Sequence, residues 1–388
     1  MYCYKCGSRL EDNMTTCANC GEKSGAFING TEGQSGQREE SVHITARAAR
    51  KVNDLADQLN AATGGEGHVE LRFKDFFVNV LKSHTEDEQN EIFACGSPRT
   101  TPAPQDIARE WPKPWYYTRL FIILALTTIL LYFANTLLGL TAVLPGLMFV
   151  GAMVGPIPVL MFFFEVNLPR NISISKVIEM FFLGGCLSLL ISGVLYSVYN
   201  PETFGFIDAM LVGIIEEAGK AGAIIFFISR EKNKRFIFNG LLIGGAIGAG
   251  FAVFETAGYI LGASMEFYSD WFSYGVNFNM DNLVGVLIVR GVLAIGGHVA
   301  WGAVTGGAIM IALNHREFRW SLLHSPAFLR FFIINIVLHG LWDMTPIVLP
   351  PLAKMGILCA AIWVVIAVIL NRGLAEINAL VKDEGETS

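Results

Sequence analysis

Charge is scarce in this chain. Only 16% of its 388 residues are Asp, Glu, Lys or Arg, where soluble domains carry about 25%. The scarcity is local: residues 1–116 hold 13 Lys/Arg and 17 Asp/Glu, whereas residues 117–372 form a succession of apolar runs with short polar connections. A wholly soluble enzyme is excluded. A basic patch is missing too, because the N-terminal region carries more acid than base, and without one no nucleic-acid surface is expected. The start lacks the basic–apolar–small order of a secretory signal, so none is expected there. Cysteine is rare after residue 20: Cys95, Cys186 and Cys359 stand alone, the last two in apolar runs where packing is their ordinary use. No clear internal repeat marks the apolar runs, which speaks against the architecture of many transporters.

What is present begins with four cysteines in the first 20 residues, Cys3-x-x-Cys6 and Cys17-x-x-Cys20, each pair followed by glycine (Gly7, Gly21). Two tight turns that each present two thiolates make a tetrahedral sulfur site suited to Zn²⁺, so residues 1–23 are expected to be a zinc ribbon. A ribbon this small folds only with its metal. Residues 24–41, rich in Gly, Ser, Gln and Glu, are expected to be a flexible linker. The spacing of Ala48, Val52, Leu55 and Leu59 predicts an amphipathic helix over 42–61. The apolar residues Val69, Leu71, Phe73, Phe76, Phe77, Val80 and Leu81 predict a second helix over 67–82, packed on its neighbour or lying at the membrane surface. A Pro-rich connector, 97–114, leads to Trp111, Trp115, Tyr116 and Tyr117, an interfacial aromatic belt.

Eight apolar runs follow, near 118–137, 141–163, 177–198, 206–229, 237–263, 283–313, 330–349 and 353–371. A membrane span needs about 20 such residues. The fifth and sixth are longer, so tilt, a break or a re-entrant piece is expected there. With the N-terminus inside, the inner connections hold Arg170 and Lys176, then Arg230, Lys232, Lys234 and Arg235, then Arg316, Arg319 and Arg330. The outer ones hold Glu202 and Asp208, then Glu266, Asp270 and Asp281, and a single Lys354. This alternation obeys the positive-inside rule and places both termini in the cytoplasm.

Four of the runs contain ionisable residues. They read Glu216-Glu217-Ala218-Gly219-Lys220, Phe251-Ala252-Val253-Phe254-Glu255, Gly297-His298-Val299-Ala300-Trp301 and His339-Gly340-Leu341-Trp342-Asp343. Charged side chains at mid-bilayer cost several kcal/mol, so they face a polar interior. At a rise of about 1.5 Å per residue, Glu216, Glu255, His298 and Asp343 all lie roughly 18–28 Å from the cytoplasmic ends of their helices. Their common depth predicts one site. Glu216 and Lys220 share a helix face, as do His339 and Asp343. Adjacent carboxylates in low dielectric cannot all stay ionised, so one is usable as a general acid or base. Alternatively the carboxylates and imidazoles hold a divalent metal that activates water. Both routes lead to hydrolysis, most naturally of a peptide bond in or beside the bilayer.

At these residues the chain resembles the PrsW family of intramembrane proteases, related to the CAAX-protease and bacteriocin-processing membrane proteases. Glu216, Glu217 and Lys220 match its Glu-Glu-x-x-Lys motif, and Phe251, Ala252 and Glu255 its Phe-Ala-x-x-Glu motif. Arg290 and His298 match its Arg and Gly-His stretch, and His339 and Trp342 its late His-x-x-Trp. The Asn that often follows the second-motif Glu is Thr256 here. The resemblance covers about residues 115–372. It implies site-1-type cleavage of single-span substrates such as membrane-anchored anti-sigma factors, functional roles for the glutamates and histidines, and a bacterial plasma membrane.

The expected protein is thus an all-α polytopic membrane protein of about eight transmembrane helices. A zinc ribbon (1–23), linker (24–41), cytosolic helical and juxtamembrane region (42–114), protease domain (115–372) and cytosolic tail (373–388) make up the chain. Glu216, Glu217, Lys220, Glu255, His298 and His339 are the expected catalytic set. Cys3, Cys6, Cys17 and Cys20 are the zinc ligands, with Glu255, His298, His339 and Asp343 available to a second, intramembrane metal. A glutamic and a metal-dependent mechanism both remain open. The expected partners are a membrane-anchored protein substrate, the lipid bilayer and a cytosolic protein docking on the ribbon. Two other functions compete: a proton- or ion-coupled transporter using the same carboxylates as a relay, and a membrane scaffold or receptor.

Overall fold

The computed structural model describes residues 51–199, 201, 205–231, 235–269, 274–278, 280–344 and 350–386. The chain divides into two units, Met1–Val52 and Asn53–Ser388, and the described structure belongs almost wholly to the second. The expected zinc ribbon, the linker and the start of the first predicted helix lie outside the described residues.

That first helix, α1, is seen over 51–62. The helix expected over 67–82 does not form: the segment makes a single 3₁₀ turn, Phe73–Phe76, and then a series of turns. Tertiary packing explains the difference. Phe76 is buried among Trp111, Phe162 and Trp363, with ring centroids 5.4–6.0 Å away. One aromatic anchor, rather than a helical stripe, fixes the segment. A helix not foreseen, α2 (Glu86–Phe93), starts on a reciprocal cap in which Thr85 accepts from the Glu88 amide and the Glu88 carboxylate accepts from the Thr85 amide.

Where described, the apolar runs fall mainly on helices. They are α3 (Tyr116–Leu138), the pair α4 (Leu144–Met153) and α5 (Pro156–Glu165), α6 (Ile174–Tyr196), α7 (Phe206–Arg230) and α8 (Ile237–Ser264). Then come α9 (Met280–Val286), α10 (His298–Leu313), α11 (Pro326–Asp343) and α12 (Pro351–Glu386). Among the described residues, six helical segments are long and apolar enough to cross a membrane, seven if the second run, bent by 44° between Met153 and Pro156, is one span. The 25-residue α7 is also long enough, but Glu216, Glu217 and Lys220 set it apart by composition. The sixth run is broken, as its length suggested: α9 passes through a π-helical stretch (Leu287–Val292) and a 3₁₀ turn (Leu293–Gly296) before α10 begins at His298. Between α8 and α9 a small antiparallel ribbon pairs β1 (Met265–Ser269) with β2 (Tyr274–Phe278), Phe267 opposite Val276. The last helix continues through the segment expected as a tail.

The helices sort by burial. None of α3 is buried, and its Ile122, Leu126, Leu130 and Leu137 face outward, as suits a lipid-facing span. Its first amides are satisfied by Glu165, whose carboxylate accepts from Trp115, Tyr116 and Tyr117 at 2.8–2.9 Å. At the other extreme, α8 is the central helix, with Leu241, Leu242, Ile243, Ala246, Ile247 and Val253 fully buried. It lies tight against α10 because glycines face glycines: a Cβ at Gly244 would run into the Gly302 carbonyl oxygen, and one at Gly240 into that of Gly306. Arg372 of α12 ties the last helix to the end of α1. Its guanidinium donates to Asn60 Oδ1, the Asn60 carbonyl and Thr63 Oγ1 at 2.7–3.0 Å.

Candidate active site

Helix α7 supplies three charges. Successive residues on a helix point about 100° apart, so Glu216 and Glu217 meet different neighbours, while Lys220 reaches back to both. All three are buried. The Lys220 ammonium is closer to Glu217 Oε1, at 2.7 Å, than to Glu216 Oε2, at 4.0 Å. The i,i+3 contact is therefore the tight one, where the sequence pointed to the i,i+4 pair. Lys220 also stands over the rings of Phe251 and Trp301.

The other groups come to α7 from α8, α10 and α11. Gly248 lets α8 approach the backbone of His298. His298, the first residue of α10, places Nε2 2.8 Å from Glu255 Oε2 and Nδ1 2.9 Å from Lys220 Nζ. His339 on α11 places Nδ1 2.8 Å from Glu217 Oε1 and Nε2 3.4 Å from Glu216 Oε2. A buried amide fixes α11 on α10: Asn335 Nδ2 donates to the Trp301 carbonyl at 2.7 Å and to Thr305 Oγ1 at 2.9 Å. All six residues expected as catalytic thus stand in one cluster, with the imidazoles of His298 and His339 5.2 Å apart.

The two histidines have the same construction. Each has one nitrogen against a carboxylate, Glu255 for His298 and Glu217 for His339. A carboxylate accepts, so that nitrogen carries a proton; the other nitrogen meets the Lys220 ammonium in His298 and the Asp343 carboxylate in His339. These second nitrogens, His298 Nδ1 and His339 Nε2, lie 3.8 and 3.4 Å from Glu216 Oε2. One donor atom from each of Glu216, His298 and His339 lies within 4.8 Å of the other two. A tetrahedral ion with bonds of about 2.0–2.1 Å sets its ligands about 3.3 Å apart. Glu216 Oε2 is buried with no hydrogen-bond partner, as a ligand atom would be. Lys220 already brings a cation to this corner. The donor set fits a divalent metal.

Glu255 and Asp343, expected as further metal ligands, stand one step out. Glu255 holds His298 and is itself paired with Arg290, whose guanidinium lies over the Tyr259 ring. Asp343 Oδ2 is 3.3 Å from His339 Nε2, and with 22% of its side chain exposed it marks the open side of the cluster. Lys354 lies beyond it, donating to the Trp342 and Met344 carbonyls at 2.6 and 3.1 Å. Four carboxylates face three fixed cations, which leaves an excess of negative charge when the imidazoles are neutral.

Two residues were not singled out from the sequence. Trp301 stacks on His339 with ring centroids 4.2 Å apart and walls the cluster. Its signal was available: His298-x-x-Trp301 repeats the spacing of His339-x-x-Trp342, and the two indoles meet edge to face at 5.8 Å. Tyr196, at the end of α6, donates to Glu216 Oε1 at 2.9 Å. A tyrosine near a span end is ordinary in a membrane protein, and nothing in the sequence distinguished it.

Compared with known families, the chain matches the PrsW family intramembrane metalloprotease model over residues 173–370, just over half its length. The match includes α6 through most of α12 and every residue of the cluster. No curated protein and no solved structure matches the chain.

Proposed function

Because the chain belongs to the PrsW family of intramembrane metalloproteases, we propose that it cleaves membrane-anchored proteins with a divalent metal held by Glu216, His298 and His339. The observation that carries the metal reading is the orientation of both histidines by separate carboxylates, with the second nitrogen of each turned toward Glu216 Oε2, an oxygen without a hydrogen bond. Carboxylate–histidine–metal arrangements of this kind fix the tautomer and make the imidazole a better ligand. A metal there supplies Lewis acidity to polarise a peptide carbonyl and to activate water.

The chain's own residues do the rest. Glu217 and Glu255 orient the two imidazoles. Lys220 and Arg290 offset the charge of those carboxylates in a medium where it is costly. Asp343, at the open side, is the carboxylate that water reaches; it takes a proton from the attacking water as the C–O bond forms and returns it to the leaving amine nitrogen as the C–N bond breaks. Trp301 and Phe251 keep the inner wall dry, which strengthens each of these interactions. The substrate is a single-span protein cut near the membrane, anti-sigma-factor-like proteins included. The bacterial plasma membrane with both termini in the cytoplasm is the setting.

The test is cleavage of a single-span reporter by the full chain in proteoliposomes. Glu216→Gln, His298→Ala and His339→Ala should each lower turnover by about 10²-fold or more, and chelation followed by metal return should abolish and then restore it. Undiminished turnover in all three variants refutes the proteolytic assignment. Loss in the variants with indifference to chelation would replace the metal by a glutamic mechanism.

A further inference from the structure

We infer that Tyr196 is a positioning residue for Glu216, holding one carboxylate oxygen so that the other faces the two histidines. The inference rests on the reading of Glu216 as the carboxylate of the reaction centre. Every expected site residue comes from α7, α8, α10 or α11. Tyr196 belongs to α6, and through it a fifth helix reaches the cluster.

The packing of α6 on α7 puts it there. Gly219 presents no side chain to α6, and a Cβ at that position would collide with Ser192 Oγ and approach the Ser188 carbonyl oxygen at 2.9 Å. Ser188 and Ser192 are themselves buried in this contact. The two helices follow one another in the chain and run in opposite directions. One turn beyond Ser192 on α6 is Tyr196, and one turn before Gly219 on α7 is Glu216. The small-residue contact thus sets the height at which the phenol meets the carboxylate.

The chemistry at Glu216 is asymmetric. Oε1 accepts the Tyr196 hydroxyl at 2.9 Å. Oε2 has no hydrogen bond and is the oxygen 3.4 Å from His339 Nε2 and 3.8 Å from His298 Nδ1. A glutamate side chain has several rotatable bonds, and only a fixed one keeps the same oxygen turned inward. His298 and His339 each have an outer partner, Glu255 and Glu217. Tyr196 gives Glu216 its own, so all three donors are oriented from behind.

Tyr196→Phe removes the hydroxyl and keeps the ring. In the full chain it should lower kcat about 10- to 100-fold with KM unchanged, and weaken Zn²⁺ binding in competition with a chromophoric chelator by a similar factor. The ribbon cysteines contribute alike to both proteins in that comparison. In a Glu216→Ala background, Tyr196→Phe should cost nothing further, because the acceptor of its hydroxyl is already gone. Unchanged kcat and Zn²⁺ affinity in Tyr196→Phe overturn the inference. So does a further loss in the Glu216→Ala background, which would place the action of Tyr196 elsewhere. The Zn²⁺ measurement decides even for a preparation that cleaves no substrate, so failure of the proteolytic reading is told apart from failure of this one.

Discussion

Lys220 has no exposed side-chain surface, and its neighbours within 4.0 Å include two carboxylates and an imidazole. Replacing Lys220 by Met leaves Glu216 and Glu217 buried side by side without their cation. Removal of one partner from a buried ion pair costs about 3–5 kcal/mol, so Lys220→Met should unfold at a clearly lower temperature in detergent as well as lose activity. A milder outcome is expected for Glu255→Gln. The amide still accepts from His298 but no longer neutralises Arg290, and variants of outer partners typically lose about 10- to 100-fold in activity. The reporter assay should rank Glu255→Gln between wild type and His298→Ala; equal loss in the two variants would make Glu255 a direct participant. The residues in this comparison were legible in the sequence because a charge inside an apolar run is rare and needs a reason. Their division into donors and outer partners was not, because it depends on which imidazole nitrogen meets which carboxylate across four helices. Tyr196 was hidden for a different reason: aromatic residues near span ends are expected whether or not they touch a site.

Among the elements, α8 and α10 bear most on the site, since their glycine contact sets the distance between Glu255 and His298. Gly244→Ala would set a methyl group against the Gly302 carbonyl oxygen. The helices must part, at a cost of about 1–3 kcal/mol by the usual scale for overpacking, and His298 moves away from Glu255. Loss of activity greater than the loss of thermal stability would show that register, not folding alone, is at stake; a fully active and stable Gly244→Ala would refute the contact. The start of α8 and the end of α10 are joined by Glu376 of α12, which pairs with His315 at 2.9 Å and accepts from the first amide of α8, Ile237, at 2.8 Å. The hydrogen bond with Glu376 raises His315 above the ordinary imidazole value of 6.5. A raised folded-state value means that this stabilisation is full below the ordinary value and is lost as pH rises through the raised one. The unfolding temperatures of wild type and His315→Gln should therefore differ most below the ordinary imidazole value and converge as pH rises above the raised one. The length of the apolar runs revealed the spans, and the excess length of the sixth announced its break; before the first span the guide was helical spacing. It misjudged residues 67–82, where one buried phenylalanine outweighs a helical pattern, and passed over the helix that Thr85 and Glu88 cap.

At the scale of the whole molecule, two metal centres of opposite character are proposed in one chain. Four thiolates from Cys3, Cys6, Cys17 and Cys20 would bind zinc in water, on the cytoplasmic side that the charge alternation assigns. Glu216, His298 and His339 would bind it within the bilayer, where their side chains are only 1–13% exposed. Access to chelator should separate them. A ribbon site would exchange with solvent directly, whereas the intramembrane donors are buried, with Asp343 and Arg290 beside them at 22% and 25% exposure. Purified full-length protein treated with a hydrophilic chelator should lose metal in two phases. The fast phase should vanish in Cys3→Ser/Cys6→Ser, and the slow one in His298→Ala/His339→Ala. Activity should follow the slow phase alone if the ribbon serves to recruit or regulate rather than to catalyse. A single phase abolished by the cysteine substitutions would mean that the buried cluster holds no metal. Lys220 would then be its permanent cation, and hydrolysis would have to proceed by the carboxylates themselves.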